Sequence, residues 1–298
     1  MNWAGGNVRQ GKGTCLADDR KSAEEALPSN KMSEEDKRSV DALDSASAKV
    51  VHEVVRLQGV EELARPIRSL LFSGFAAGVA ISTSVLAEAF LQARLPDTAW
   101  RELIVALGYP VGFVIVILGK LQLFTETTVT AVLPLATNFT LRNFGRLMRL
   151  WMAVFLANMA GTFFVAALIA YGIIVEPDNL NSVVELSKAV LQHDFLTTLL
   201  LATPAGFLVA SVAWMMPNAR GGEFWIIFFV TYIIAIGGFS HVVAGSTEAW
   251  ILVLSGQTSF MTAVGGFLLP ALIGNIIGGT GLFAVVAHGQ VRDEIKTT

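Results

Sequence analysis

Long apolar runs separated by short polar connections dominate the chain from residue 67 onward. Five of them reach the roughly 20 apolar residues that a helix needs to cross a hydrocarbon core. These five runs are 67–93, 103–124, 148–174, 196–216 and 267–287. A sixth, 224–254, is too long for one simple span and contains His241, Glu248 and several glycines. The pattern predicts an all-α membrane protein with six transmembrane helices over residues 67–290.

Residues 1–66 have a different pattern and are expected to form a cytoplasmic tail. The first thirty or so are polar and glycine-rich, a composition typical of disorder. Ser33-Glu34-Glu35-Asp36 then resembles a capping box, and apolar residues recur at near-helical spacing from Val40 to Leu57. This indicates an amphipathic helix that lies on the membrane interface or packs against a neighbouring subunit, in preference to a gating plug. Residues 291–298 are expected to form a short cytoplasmic C-terminal tail.

Composition agrees with a membrane protein and excludes several classes of function. The chain is 53% hydrophobic and only 15% charged, with a mean hydropathy of +0.60. A net charge of -3 and the lack of a basic stripe argue against nucleic-acid binding. Cys15 is the only cysteine, and no residues have the spacing of a metal site. No nucleophile, base and orienting group are clustered, so we expect neither an enzyme nor a cofactor.

The distribution of basic residues predicts that both termini are cytoplasmic. With that orientation, eight basic residues near span ends lie inside: Arg65, Arg68, Arg142, Arg146, Arg149, Arg220, Arg292 and Lys296. Only Arg94, Arg101 and Lys188 lie outside. The excess of Lys and Arg on one side follows the positive-inside rule and requires an even number of spans.

A weak internal repeat divides the six predicted spans into two halves. Asn158 follows Thr125, and Asn275 follows His241, at nearly equal distances of 33 and 34 residues. Each asparagine is followed by glycine within a few positions. With three spans in each half, the second half must be inverted relative to the first, as in many channels and transporters.

Misplaced polar residues predict that spans 2 and 5 are broken within the bilayer. At the second break, Gly237-Gly238 lets the backbone leave the helix, and Ser240, His241 and Gly245 are expected to continue the interruption. Around Thr125 the signal is a polar run from Gln122 to Thr130. A break in lipid is tolerated only where protein or a water-lined cavity pairs the backbone, so both breaks indicate a transport path.

His241 and Thr125 are the candidate polar pair of that path. Half-helix amino termini that converge in mid-membrane favour an anion. An ionisable group at this depth is usually functional, and histidine can exchange a proton near neutral pH. Asn158 and Asn275 are expected to support the freed loop backbone. His52, His193 and His288 are expected to be solvated.

The sequence resembles the formate/nitrite transporter family over approximately residues 67–290. The resemblance is carried by GFVIVILGKLQLFT from Gly112 to Thr125, by Gly-Phe-Ser-His at 238–241 and by Gly-Asn-Ile-Ile-Gly-Gly from Gly274. The string LFTETTVTAVLP is similar to that of the YfdC-like inner-membrane branch. The resemblance implies a bacterial inner-membrane homopentamer of aquaporin-like protomers, each with its own pore for small monovalent anions.

The resemblance also assigns roles to individual residues. Thr125 and His241 match the family's polar pair in the transport path. The apolar constrictions match Tyr109, Phe113, Phe124, Val209 and Ile234. Gly238 and Ser240 belong to the second loop with its supporting asparagine. Two positions depart from the family pattern, since Ser240 stands where glutamate is frequent and Glu126 where a small residue is common; Glu126 and nearby Lys120 are therefore candidate modulators.

These observations predict a channel or transporter for formate- or nitrite-like weak-acid anions in the lipid bilayer. His241 is expected to assist passage by full or partial protonation of the anion, because a bare charge at mid-bilayer costs at least about 2.5 to 3.5 kcal/mol. Two alternatives stay open. One is an aquaporin-like pore for neutral solutes. The other is a non-conducting sensor or scaffold that acts through the N-terminal tail.

Overall fold

The computed structural model describes residues 45–296, apart from the side chains of Asp178 and residues 293–296. Between residues 45 and 296 every regular element is helical, which confirms the all-α prediction. The predicted capping box at Ser33 and the apolar positions Val40 and Leu43 lie outside the described residues.

The first half of the described chain contains eight α-helices. A 3-10 turn, Ala106–Gly108, lies between α4 and α5. The helices are α1 Ala48–Ala64, α2 Ile67–Ile81, α3 Thr83–Arg94, α4 Arg101–Val105, α5 Pro110–Leu118, α6 Phe124–Thr130, α7 Leu133–Thr137 and α8 Leu141–Ala170.

The second half contains seven. Two π-helical segments, Val264–Leu268 and Ile277–Ala284, join its last three helices into one long element. The helices are α9 Pro177–Ser187, α10 Phe195–Met215, α11 Glu223–Ile236, α12 Val242–Leu254, α13 Phe260–Ala263, α14 Leu269–Ile276 and α15 Val285–Lys296.

Five helical stretches among the described residues are long and apolar enough to cross a membrane. They are Ile67–Arg94, Arg101–Leu118, Leu141–Ala170, Phe195–Asn218 and Phe260–Arg292. The stretch at 141 begins earlier than the sequence pattern predicts, because Thr140 caps the helix by accepting a hydrogen bond from the backbone N–H of Asn143. Helices α11 and α12 are each too short to span alone. The six-span count therefore stays a prediction in which α11 and α12 share one crossing.

Close helix contacts at glycine hold each half together. In the first half, a Cβ on Gly78 would lie 2.3 Å from the Asn158 carbonyl oxygen, so α2 and α8 touch at their backbones. In the second half, a Cβ on Gly206 would lie 2.2 Å from the Asn275 carbonyl oxygen, which brings α10 and α14 equally close. Small residues at such crossings are the usual means of tight packing between membrane helices.

Helix α1 packs across both halves of its own protomer. Its buried residues Val51 and Val55 contact Val129 and Leu133 of the first half, together with Ala210, Ala213 and Ala284 of the second. The approach is close enough that a Cβ on Gly59 would lie 1.9 Å from the Thr130 carbonyl oxygen. The sequence pattern favours the membrane interface or a neighbouring subunit as the partner of this helix. The structure instead gives its apolar face a partner within the same chain.

Candidate functional site

The first interruption separates α5 from α6. Helix α5 ends when Lys120 adopts a left-handed conformation, with φ of 52°. The N–H of Leu121 then donates to the carbonyl of Val116, and the N–H of Lys120 to that of Ile117, which is the Schellman pattern of a helix end. The break therefore covers residues 119–123, whereas the sequence pattern places it around Thr125, in the polar run from Gln122 to Thr130. Thr125 lies inside the first turn of α6.

The second interruption, between α11 and α12, ends its first helix in the same way. Gly238 has a φ of 62°, and Phe239 and Gly238 donate to the carbonyls of Ile234 and Ala235. The break runs to His241, as predicted, but the prediction that Gly245 continues it is wrong. Gly245 lies within α12, where a Cβ would be 2.3 Å from the ring of Phe267. Its glycine makes room for that ring in an intact helix.

Two buried asparagines fasten the interruptions. The side chain of Asn158 accepts a hydrogen bond from the Phe124 N–H at 2.9 Å and donates to the carbonyls of Gly74 and Gln122. The side chain of Asn275 makes the matching set: it accepts from the Val242 N–H at 2.9 Å and donates to Ala202 and Ser240.

Thr125 and His241 meet where the two half-helices begin. Thr125 Oγ1 lies 2.7 Å from His241 Nε2, and both side chains are buried. His241 Nδ1 accepts a hydrogen bond from the Ala244 N–H at 3.1 Å, so the histidine caps α12. Because Nδ1 acts as an acceptor, the ring is neutral with its proton on Nε2, and it donates that proton to Thr125. The hydroxyl proton of Thr125 is left to point elsewhere.

A ladder of aromatic rings connects this pair with a large cavity. The rings of Tyr109 and Phe113 lie 5.1 Å apart, and Phe113 packs edge-on against His241 at 5.0 Å. The cavity has a volume of about 660 Å³ and its lining includes Tyr109, Ile234 and His241. Loop residues 97–99 and helix α9 also contribute to it, so it lies at the end of the bundle opposite α1. We call it the vestibule.

The remaining predicted constriction residues are buried but lie outside this ladder. The Phe124 ring packs edge-on against Trp151 and Phe155 of α8, at 5.8 and 5.2 Å. Val209, in the middle of α10, is 1% exposed. The structure thus brings Tyr109, Phe113, His241 and Thr125 into one continuous row and places Phe124 and Val209 in the surrounding core.

Comparisons with known proteins agree with this arrangement. The sequence model described as Formate/nitrite transporter matches residues 49–289. The chain belongs to the formate/nitrite transporter family. It is 37% identical to the inner membrane protein YfdC of Escherichia coli K12 over 84% of this chain and 80% of that protein. It is 28% identical to the formate channel BtFdhC of Bacillus thuringiensis over 78% of this chain and 90% of the relative.

Solved structures share the fold. A pentameric formate channel with formate bound superposes with a TM-score of 0.63 at 19% identity, covering 76% of this chain and 96% of that one. A second structure, an FNT family ion channel, has a TM-score of 0.66 at 19% identity and covers 82% and 96%. The family resemblance expected from the sequence is confirmed.

The two positions that depart from the expected family pattern each adjoin one member of the polar pair in the sequence. Glu126 occupies the first turn of α6 and is half-buried. Lys120 is exposed, and within the described part of the chain no ion pair joins it to Glu126. The carbonyl of Ser240 accepts a hydrogen bond from the Asn275 side chain, and its N–H donates to the carbonyl of Leu201. Its side chain borders the vestibule.

Helix α1 supplies a carboxylate that sequence analysis did not select. Glu62 accepts hydrogen bonds from the Thr130 hydroxyl at 2.6 Å and from Gln122 Nε2 at 3.5 Å. Burial raises the pKa of Glu62, while these two hydrogen bonds and nearby Arg65 act in the opposite direction. Glu62 thereby ties the tail helix to both ends of the segment that contains Glu126.

Two histidines expected to be solvated are in contact. His52 is buried, and its Nε2 lies 3.1 Å from Nδ1 of the half-buried His288. Burial, followed by the neighbouring His288, lowers the pKa of His52. The pattern of α1 could have placed His52 on the inner face, since it adjoins Val51. His193, on the rim of the vestibule, is exposed as predicted.

Proposed function

We propose that this protein is a channel for small monovalent anions of weak acids, such as formate and nitrite. The observation that carries the proposal is the buried contact between Thr125 and His241, at the junction of two interrupted segments and at the inner end of the vestibule. Family membership and the channels among the relatives support it. We further propose a homopentamer in the bacterial inner membrane with both termini in the cytoplasm.

In the proposed path, a weak acid that enters through the vestibule passes Tyr109 and Phe113 and reaches Thr125, where it can be present as its anion. The hydroxyl of Thr125 donates a hydrogen bond to the anion, since His241 already donates to the threonine oxygen. Proton delivery from His241 requires the ring to take up a second proton on Nδ1, which displaces the Ala244 N–H. The histidine thus assists passage first by orienting the threonine and then, when its cap opens, by lending a proton.

The test is a flux measurement on purified protein in liposomes, with labelled formate and nitrite at two pH values. We expect saturable uptake that is faster at the lower pH. His241→Asn is the informative variant, because asparagine can still cap α12 but cannot titrate. We expect this variant to lose the part of the pH dependence that belongs to His241 and to keep the part that comes from protonation of the acid itself. A pH profile identical to that of the wild type would remove His241 from the mechanism.

The same liposomes distinguish the alternatives. Osmotic swelling without acid uptake would indicate a pore for neutral solutes. Flux at background for every solute and both pH values would indicate a non-conducting sensor or scaffold.

A further inference from the structure

The vestibule is unexpectedly acidic for the entrance of an anion path. Five carboxylate residues contribute to its lining: Glu88, Asp97, Glu102, Glu185 and Glu248. The basic residues in the same wall are Arg101 and His193, and the other titratable groups facing it are Tyr109 and His241.

The outer and inner carboxylates differ in their partners. At the rim, Asp97 lies 3.8 Å from Arg101, and Glu185 lies 2.5 Å from Lys188. Glu88 and Glu248 lie deeper, and within the described residues neither side chain has a hydrogen bond or a basic partner. Whenever either member of the inner pair is ionised, no basic group among the described residues offsets its charge.

Backbone and hydroxyl contacts place the inner pair next to the aromatic ladder. On α3, the Ser84 hydroxyl donates to the Tyr109 carbonyl at 2.6 Å, and Glu88 lies one helical turn further on. A Cβ on Gly108 would lie 2.5 Å from the Glu88 nitrogen, so α3 and the segment leading to Tyr109 are in direct contact.

Glu248 reaches the same place from the other half. On α12 it follows His241 by seven residues, and Gly245 lies between them on the same face, so all three line the vestibule. The rise along the helix separates Glu248 from His241 by about 10 Å. Contact of the Ser82 and Thr247 hydroxyls at 2.9 Å holds α12 against the start of α3.

We propose that Glu88 and Glu248 determine the specificity of this mouth, admitting a small weak acid together with its proton and excluding anions that cannot be protonated. The inference rests on the proposed function. The polar pair alone cannot distinguish protonatable from non-protonatable anions, because Thr125 donates a hydrogen bond to any small anion.

The physical reason is electrostatic. An anion that enters the vestibule while the glutamates are ionised meets negative charge that no basic partner offsets, and in a cavity walled by protein this repulsion is stronger than in bulk water. An acid that carries its proton meets no such barrier. Acidification acts twice in the same direction, because it protonates the acid and neutralises the glutamates. Nitrate, the anion of a strong acid, is excluded by the same charges whenever they are ionised.

The experiment compares formate with nitrate in liposomes that have equal pH on both sides, so that protein orientation does not matter. The variants are Glu248→Gln and the double variant E88Q/E248Q. We expect the wild type to carry formate and exclude nitrate. In the double variant we expect nitrate current to rise roughly three- to tenfold at pH 8, and formate uptake at that pH to rise as well. Formate uptake at low pH should change little.

Glu185→Gln is the matched control, since it removes a rim carboxylate whose charge Lys188 already offsets; it should behave like the wild type. Glu248→Asp keeps the charge and should retain nitrate exclusion. Size-exclusion chromatography checks assembly, and the single variant, with half the charge removed, should show a smaller effect if the double variant aggregates.

Each outcome decides one of the two proposals. Formate flux with an unaltered pH profile and background nitrate current in E88Q/E248Q would overturn the specificity role while the channel stands. Nitrate current in the double variant with no wild-type formate flux would support the filter and overturn the proposed substrate. Background flux of both solutes in every variant would overturn both.

Discussion

The interruption at 119–123 and the interruption at 237–241 solve the same problem with different residues. Each stops a membrane helix with one left-handed residue, Lys120 in the first and Gly238 in the second. In both, a buried asparagine binds the first N–H of the following helix. They differ in the capping residue: Leu123 has no side-chain cap to offer, whereas His241 caps its own helix through Nδ1.

This difference explains how two similar breaks make one asymmetric site. The capping residue of α6, Leu123, is apolar, so the first break contributes Thr125 from inside the helix. The residue that caps α12 is His241, whose second ring nitrogen is free to reach across to that threonine. One break thus supplies the hydroxyl and the other the group that orients it, and neither forms the pair alone.

The largest expected effect is a loss of stability, and it tests the buried asparagine that both breaks have in common. Asn158→Leu and Asn275→Leu each leave the first N–H of the following helix and one loop carbonyl, that of Gln122 or Ser240, without their buried partner. We expect each to lower the free energy of unfolding by about 3 kcal/mol or more, or to abolish assembly. Thermal unfolding in detergent measures this. Equal losses are expected, and a harmless substitution at one site would show that the two breaks are held by different means.

The next effect is a loss of formate flux, and it tests the hydroxyl that only the first break supplies. Thr125→Val keeps the shape of the side chain but removes the hydroxyl, so formate flux should fall by tenfold or more while the melting temperature changes little. Thr125→Ser keeps a hydroxyl and is the matched control. Val243 holds the corresponding second position of α12, and Val243→Ala should leave the pH dependence of flux intact. Wild-type flux in Thr125→Val would mean that the threonine does not contact the substrate.

The two breaks also differ in how far the sequence could predict them. The Gly237-Gly238 pair predicts the second break, because glycine adopts positive φ without penalty. The first break was misplaced because its left-handed residue is a lysine, which gives no such signal. The polar run after it lies inside a helix, where the hydroxyls of Thr127 and Thr128 donate to the carbonyls of Phe124 and Thr125 three residues earlier.

The positions of the helices could be predicted from the sequence, whereas contacts between residues far apart in the chain could not. A membrane forces long apolar runs into helices, so the sequence pattern alone marks them. Whether Glu88 and Glu248 line one cavity, or whether His52 contacts His288, depends on how helices from the two halves dock. The members of each pair are separated by more than a hundred residues. The contact of Thr125 with His241 was expected only because repeat symmetry and family resemblance placed both at the centre.

A smaller effect comes from exchanging the two left-handed residues. Lys120→Gly should stabilise the protein by about 1 kcal/mol, because glycine removes the strain of a side chain at positive φ. Gly238→Ala should destabilise it by a similar amount. A Cβ at Gly238 has no heavy atom within 4 Å, so the cost is conformational and not a clash. Chemical unfolding curves would measure both, and opposite signs are expected.

Helix α1 covers the first break, whereas the second break opens into the vestibule. The smallest expected effect is on the docking of α1. Burial raises the pKa of Glu62, so its protonated form favours the docked helix. Glu62 therefore stabilises the docked helix fully when the pH is below its ordinary pKa of 4.5. This stabilisation is lost as the pH rises through the raised pKa of the docked state. Glu62→Gln should remove this loss, because glutamine carries no charge and still accepts the Thr130 hydroxyl.

Hydrogen exchange of α1 amides, corrected for the pH dependence of intrinsic exchange, measures the docking. In the wild type, protection of residues 48–64 should fall as pH rises from 5 to 8, while in E62Q it should stay constant. Glu61, an exposed neighbour on the same helix, provides the control, and E61Q should follow the wild type. If E62Q and the wild type lose protection equally, another group controls the docking, and the cover over the first break does not depend on this carboxylate.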